Sequence, residues 1–306
     1  MEKRVIIIVG PTCSGKTILG IKLAELLDTE IISADSRQFY KKLNIGTAKP
    51  STNELLKVKH HFIDTLDPDD EYNVSIYSEE AEKIMQSLLS ENKIPIVVGG
   101  SGLYIKSLID GIVETADKDE EYRDKLFNLI STEGIEKLYE MLQKVDPESA
   151  SKMLPQNWKR VMRALEVIHI TGKPIWEHHQ QQKKKNKYQF YQYGLNWKRE
   201  MLYENIDKRV NQLISKGLVE EVEKLLDEGY SDKLNSLNTV GYKEIISFLK
   251  NEITMDRAIE MIKRNTRRYA KRQLTWFRKD KRIQWFDINE FRELTQIAEK
   301  IIQSLN

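Results

Sequence analysis

The sequence holds a single cysteine, Cys13, in 306 residues. One thiol excludes an intrachain disulfide framework and a cysteine-rich zinc module. Long hydrophobic runs are missing as well. The apolar stretch Val5 to Val9 is too short for the core of a secretory signal and leads straight into a glycine loop. No run approaches the length of a membrane span. A bulk charge is also lacking, because 49 basic side chains meet 47 acidic ones for a net +2. Any nucleic-acid surface must then come from local clustering. There is no internal repeat. These absences lead us to expect a cytoplasmic protein with no membrane association. What is present is enough apolar material, 40% of the residues, for one large or two modest domains.

Val5 to Val9 reads as a buried strand, mostly β-branched and ended by Gly10 and Pro11. Lys16 to Leu27 reads as a helix with Leu19, Leu23, Leu26 and Leu27 on one face. Glu30 to Ser33 and Ile94 to Val98 are further strands. A helix capped by Asn73 or Ser75 reaches about Ser90. Strand, glycine turn, helix, strand is the order of a parallel α/β sheet. From about Asp117 to Lys187 only helical periodicity is visible, including a clear helix over Trp158 to Thr171 closed by Gly172. A strand returns at 188–197, followed by helices near 200–215, 217–228, 240–250 and 255–275, a late strand at Ile283 to Phe286 and a final helix. The expected fold class is α/β, a P-loop-type parallel sheet core flanked by helices and interrupted by a mostly helical insertion. The expected boundaries are 1–112 and 190–306 for the core and 113–189 for the insertion.

Gly10-Pro11-Thr12-Cys13-Ser14-Gly15-Lys16-Thr17 fits G-x-x-x-x-G-K-[ST] at every fixed position, with a strand before it and a helix after. Such a loop turns successive N–H groups into an anion nest. The helix start adds roughly half a positive charge, Lys16 adds a whole one, and the Thr17 hydroxyl can bind Mg²⁺. The plain alternative is a chance glycine turn that carries a lysine. Taken alone, the loop suggests a small-molecule kinase or an NTPase.

Asp35 lies just past the second strand, at the edge that faces the ligand crevice in open α/β sheets. It reads as a metal partner, a general base, or simply a turn aspartate paired with Ser36. "GGSGLY" at 99–104 is a second glycine-rich turn at the same edge, with Ser101 offering a hydroxyl. It is also ordinary turn chemistry. No Asp or Glu ends the strand before it, which weighs against an NTPase.

"GPTCSGKT", "ADSRQFYKKLNIGTAKP", "GGSGLY", "NWKRVMRALEV", "VGYKE" and "AKRQLTWFR" follow one another in this order. Together they closely resemble the bacterial tRNA dimethylallyltransferases, also called tRNA isopentenyltransferases, nearly from end to end. The stretch between about 113 and 190 matches least distinctively. The resemblance implies that the loop, Gly10 to Thr17, holds the diphosphate of dimethylallyl diphosphate with Mg²⁺ on Thr17, and that Lys16 and Thr17 stabilise its departure. It implies prenyl transfer to N6 of the adenosine 3′ of the anticodon, with Asp35 as the base. It places Asp35, Ser36, Arg37, Gln38 and Ser101 against the tRNA, and Arg209 at the mouth of the reaction channel. It assigns Lys159, Arg160 and Arg163 to the anticodon stem-loop. "VGYKE" belongs to the same tRNA-facing pattern, although alone it reads as a helix start. A monomer is expected.

Residues 263–282 hold ten Lys or Arg and one Asp. Lys263, Arg267 and Lys271 repeat every four residues, as do Arg264, Arg268 and Arg272 beside them, so one broad cationic helix face is expected. A polyanion would relieve its self-repulsion; the alternative is a solvated charged face. Ile262, Tyr269, Leu274 and Phe277 read as core. Lys159, Arg160 and Arg163 read equally as water-facing residues of a helix that buries Val161, Leu165 and Ile168, or as a kinase's phosphate-clamping lid. The lysines at 183–187 read as a solvated loop. The histidines lack partners at ligand spacing, and the tryptophans read as packing. Prenylation of free adenine nucleotides, a P-loop kinase and a non-enzymatic RNA-binding module are the competing readings. The first leaves the insertion and the basic helix without use, and the second should need a nucleoside triphosphate.

Overall fold

The computed structural model describes residues 3–111, 118–181 and 187–305. The chain forms two compact units, 1–109 with 186–306 and 110–185. The helical unit thus starts and ends a few residues before the expected 113 and 189.

The first unit opens with β1 (Arg4–Val9), α1 (Lys16–Leu26), β2 (Ile31–Ala34), α2 (Thr52–Lys57), β3 (His60–His61), α3 (Val74–Ser90), β4 (Ile96–Gly99) and α4 (Gly102–Asp110). The second contains α5 (Glu120–Glu133), α6 (Ile135–Val145), α7 (Pro147–Ser151), α8 (Trp158–Thr171) and α9 (Ile175–Gln181). The first then resumes with β5 (Gln189–Trp197), α10 (Arg199–Ser215), α11 (Leu218–Asp227), α12 (Tyr242–Leu249), α13 (Met255–Phe277), β6 (Gln284–Ile288) and α14 (Leu294–Leu305). Two small elements escaped the sequence reading. Helix α2 is a six-residue turn held by a capping box between Ser51 and Glu54. Strand β3 consists of the two histidines, and the Nε2 of His61 meets the Glu30 carboxylate at 2.6 Å.

Among the described residues six strands form one parallel sheet, in the order β3-β2-β4-β1-β5-β6. Every carboxyl end therefore points to one edge. Strand β1 sits centrally between β4 and β5. It is buried on both faces, so its sequence is continuously apolar rather than alternating. Ile6 and Ile8 face the cluster that holds Leu19, Leu23, Ile206 and Ile301, whereas Val5, Ile7 and Val9 face Tyr77, Met85 and Leu108. The period of two thus builds two cores, one on each face of the sheet.

The helical unit has its own core, with Leu126, Leu138, Leu142, Val161 and Leu165 packed together. At its centre Glu166 is a fully buried carboxylate. It accepts from Arg123 Nε at 2.6 Å, Arg123 Nη2 at 3.0 Å and the Asp119 N–H at 3.0 Å, and pairs with Arg163. Burial alone would raise its pKa; the two guanidiniums and the N–H outweigh it and hold the carboxyl below the ordinary value.

Candidate active site at the carboxyl edge of the sheet

The loop after β1 is the centre of the site. Cys13 adopts a left-handed φ of 62° and Gly15 one of 90°. These turns alternate the backbone so that its N–H groups can converge, the geometry of an anion nest. Helix α1 follows with no side-chain cap on its first turn, so its N-terminal N–H groups remain available to a ligand. Gly15 is required twice over: its φ disfavours other residues, and a Cβ would lie 2.8 Å from Leu294 Cδ1. Lys16 Nζ donates to the Pro11 carbonyl at 2.6 Å. From the end of β5, Trp197 Nε1 donates to the Ser14 carbonyl at 3.0 Å and braces the loop from behind.

The turns after β2 and β4 are laced together beside this loop. Ser101 N–H donates to the Ala34 carbonyl at 3.1 Å, and Ser36 N–H donates to Ser101 Oγ at 3.1 Å. Gly99 permits this approach, because a Cβ there would lie 2.1 Å from the Ala34 oxygen. Asp35, Ser36 and Ser101 thus share one small region of the edge. Asp35 Oδ1 accepts the Arg37 N–H at 3.0 Å, a turn contact made to Arg37 rather than to the Ser36 of the turn-aspartate reading.

Asp35 and Lys16 are half-buried by surface exposure, yet protein surrounds them on most sides and their charges act on each other. Burial raises the Asp35 carboxyl; the Arg37 N–H and the Lys16 and Arg37 charges oppose the rise without cancelling it. Burial lowers the Lys16 ammonium to about 8, opposed by Asp35 and Cys13 and helped by Arg209. Arg209, on α10, thus faces the loop. Its Nη2 donates to the Ala48 carbonyl at 3.4 Å. Burial raises the Cys13 thiol.

Arg37 and Gln38 are engaged within the protein. Arg37 Nη1 donates to the Asn235 carbonyl at 2.6 Å, and the Gln38 amide donates to the carbonyls of Thr47 and Ala48. They shape the wall of the crevice. The same wall is held by Glu221, whose carboxylate accepts the N–H groups of Asn44, Ile45 and Gly46 and the Tyr242 hydroxyl. Within "VGYKE", Tyr242 and Glu244 are therefore interior residues: Tyr242 is fully buried, and Glu244 caps its helix by accepting the Gly241 N–H at 2.7 Å.

The cationic face of α13 is narrower than its sequence suggests. Arg268, Lys271 and Arg272 are exposed, whereas Lys263, Arg264 and Arg267 are half-buried. Arg267 pairs with Asp207 of α10 and lies over the Tyr203 ring at 5.3 Å. An acid supplied by a neighbouring helix turned that position inward. In the helical unit, Lys159 and Arg160 are exposed, but Arg163 is committed to Glu166. Of the lysine run, 183–186 lie outside the described residues.

Two residues of α13 belong to the site and were missed. Tyr269, read as core, is half-buried and lies close enough to Asp35 for that charge to raise its phenol, though burial does so more. Gln273 is buried; it accepts the Thr12 N–H at 2.8 Å and donates to the Gly100 carbonyl at 2.9 Å. One sign was legible. Gln273 falls on the apolar stripe of Ile262, Ala270 and Phe277, where a polar residue needs a partner.

Mg²⁺ takes few protein ligands and several phosphate oxygens. Among the described residues no group of three or more His, Cys, Asp or Glu could hold a metal. The Thr17 hydroxyl at the loop's end is the kind of single ligand that Mg²⁺ takes beside phosphate. Among the described residues no helix is long and apolar enough to cross a membrane.

A glycine loop beside a carboxylate, at the carboxyl edge of a parallel α/β sheet, is an arrangement found in enzymes that handle phosphorylated substrates. The comparisons narrow this class to prenyl transfer. The IPP transferase family model matches residues 38–280, and the chain belongs to that family. It is 46% identical to a tRNA dimethylallyltransferase of Carboxydothermus hydrogenoformans, over 99% of this chain and 97% of that one. Its fold matches the crystal structure of the tRNA isopentenylpyrophosphate transferase of Bacillus halodurans, with TM-score 0.73 and 36% identity over 99% and 97% of the two chains. It also matches a eukaryotic dimethylallyltransferase captured acting on tRNA, with TM-score 0.82 and 28% identity over 98% of this chain and 77% of the other.

Proposed function

We propose that the chain transfers the dimethylallyl group of dimethylallyl diphosphate to N6 of the adenosine immediately 3′ of the anticodon, in tRNAs reading codons that begin with U. Diphosphate is released. One observation carries this reading: the nest and Lys16 share an edge with Asp35, while β4 ends in Val98 and Gly99 with no acid. That is a cradle for an anionic leaving group opposite a base.

The allylic C–O bond breaks and its electron pair stays on the diphosphate oxygen. Lys16, the loop N–H groups and the start of α1 meet that charge as it grows; one such donor contributes about 3 kcal/mol to lowering a barrier. N6 bonds to the allylic carbon and releases a proton to the Asp35 carboxylate, which its raised pKa makes a stronger base. The Thr17 hydroxyl would hold Mg²⁺, which would supply further neutralisation of the leaving group. The adenine must leave its stack to arrive, and Ser36, Ser101, Arg209 and Tyr269 line its destination. Lys159 and Arg160, together with Arg268, Lys271 and Arg272, supply phosphate contacts that position the RNA without reading its sequence. The enzyme works as a cytoplasmic monomer.

The test mixes protein, Mg²⁺, radiolabelled dimethylallyl diphosphate and an unmodified tRNA that reads a U-initial codon, with AMP and ATP as parallel acceptors. Label in tRNA alone supports the reading. Label only in AMP or ATP moves the activity to free nucleotides. No label, with phosphate released from ATP, overturns it.

A further inference from the structure

Gln273 is a buried polar side chain of α13 that the reaction above does not use. Its partners fix its orientation, because Thr12 offers only a donor and Gly100 only an acceptor. The amide therefore spans the loops that follow β1 and β4, which are neighbouring strands. The Tyr269 phenol, beside Asp35, lies close enough to the same side chain for it to affect the phenol. Gly100 is cut to fit: a Cβ there would lie 2.2 Å from Gln273 Nε2. The Thr12 N–H points at the glutamine rather than into the nest, so Gln273 shapes the loop where phosphate does not.

We propose that Gln273 is a positioning residue for the diphosphate, tying the phosphate loop to the Ser101 turn so that the nest is formed before the substrate arrives. This rests on the functional reading above. A neutral amide suits the task. A carboxylate could accept from Thr12 but could not donate to Gly100, and it would bring negative charge beside the diphosphate. An alanine would leave a buried N–H and a buried carbonyl without partners.

The experiment titrates inorganic diphosphate with Mg²⁺ into the full-length wild type and the variants Q273A, Q273E, G100A and Q273A/G100A, by calorimetry. Melting temperature, RNA affinity and the KM values for both substrates are measured alongside. Q273A weakens diphosphate about tenfold, the equivalent of one well-placed hydrogen bond. It raises KM for dimethylallyl diphosphate and leaves RNA affinity unchanged, a split that a general loss of packing would not give. G100A keeps every polar group yet weakens diphosphate similarly, because its methyl displaces the amide. The double variant is no worse than Q273A, because the two changes break one contact. Q273E is weaker than Q273A at neutral pH and recovers as acid protonates it. Should Q273A fail to fold, G100A and Q273E carry the same test. Wild-type binding matched by the variants, or additive losses in the double, overturns the inference alone. A wild type that does not bind diphosphate overturns the functional reading and this inference together.

Discussion

Lys16 offers a sharp test of the proposed diphosphate site. In the free protein its ammonium is pushed down to about 8 from an ordinary 10.5, chiefly by burial. That gap corresponds to about 3 kcal/mol in favour of the neutral amine. A diphosphate placed against Lys16 reverses the balance, because two or more negative charges replace the lost solvent. Binding therefore takes up a proton. At a pH near 8 the uptake is about half a proton, and affinity falls about fivefold between pH 8 and 9, approaching tenfold per pH unit beyond. The free protein shows the opposite trend. The folded value lies below the unfolded one, so the unfolded chain binds more protons between about 8 and 10.5, and stability rises with pH across that window. Calorimetry with inorganic diphosphate and Mg²⁺, in buffers of different ionisation enthalpy, reads the proton directly. Inorganic diphosphate loses its own last proton in this range, so the Lys16→Met titration in the same buffers is the reference that removes the ligand's contribution. Lys16→Met binds more weakly and lacks the share of the proton uptake and pH dependence that belongs to Lys16. A wild type that takes up no more proton than Lys16→Met near pH 8 and keeps its affinity to about pH 9.5 would refute the argument.

Three further outcomes follow from the same geometry. Asp35→Asn lowers turnover by about 10² to 10⁴ while retaining diphosphate and RNA binding, and the acid limb of the wild-type pH profile lies above the ordinary carboxylate range, in the direction that burial moves Asp35; pre-steady-state transfer assays check both. Replacing Arg268, Lys271 or Arg272 with alanine weakens RNA binding and reduces its salt slope by about one per residue, whereas Arg267→Ala lowers the melting temperature instead, because Arg267 is paired with Asp207. Glu166→Gln destabilises the helical unit by about 3 to 5 kcal/mol, since two guanidiniums lose a buried partner; in the wild type the folded value is depressed, so this contribution is present above the unfolded value of about 4.5 and lost as pH falls through the folded one, which chemical denaturation at several pH values checks.

The order of elements was readable because each carries its signal locally. A β-branched run with glycine after it becomes a strand that ends in a turn, and helix α3 begins where Asn73 accepts the N–H groups of Ser75 and Ile76. Strand β3 escaped because two histidines have no periodicity, and they pair only because β2 lies alongside. The cationic rows of α13 were visible as spacing, but spacing could not show that Asp207, sixty residues earlier, claims Arg267.

By itself the sequence determined the glycine loop, the aspartate after the second strand, the serine turn after the fourth and the alternation of strand and helix. Those are contacts within a few residues, governed by backbone conformation and burial period. Only the tertiary structure decided which side chains complete the site. Gln273 reaches Thr12 across 261 positions, Trp197 reaches Ser14 across 183, and Tyr269 comes to face Asp35. Each depends on a parallel sheet that gathers all its carboxyl ends at one edge and on helices that pack back over that edge. The pKa values of Asp35 and Lys16 belong to the same level, because burial is a property of the assembled crevice and of no single segment.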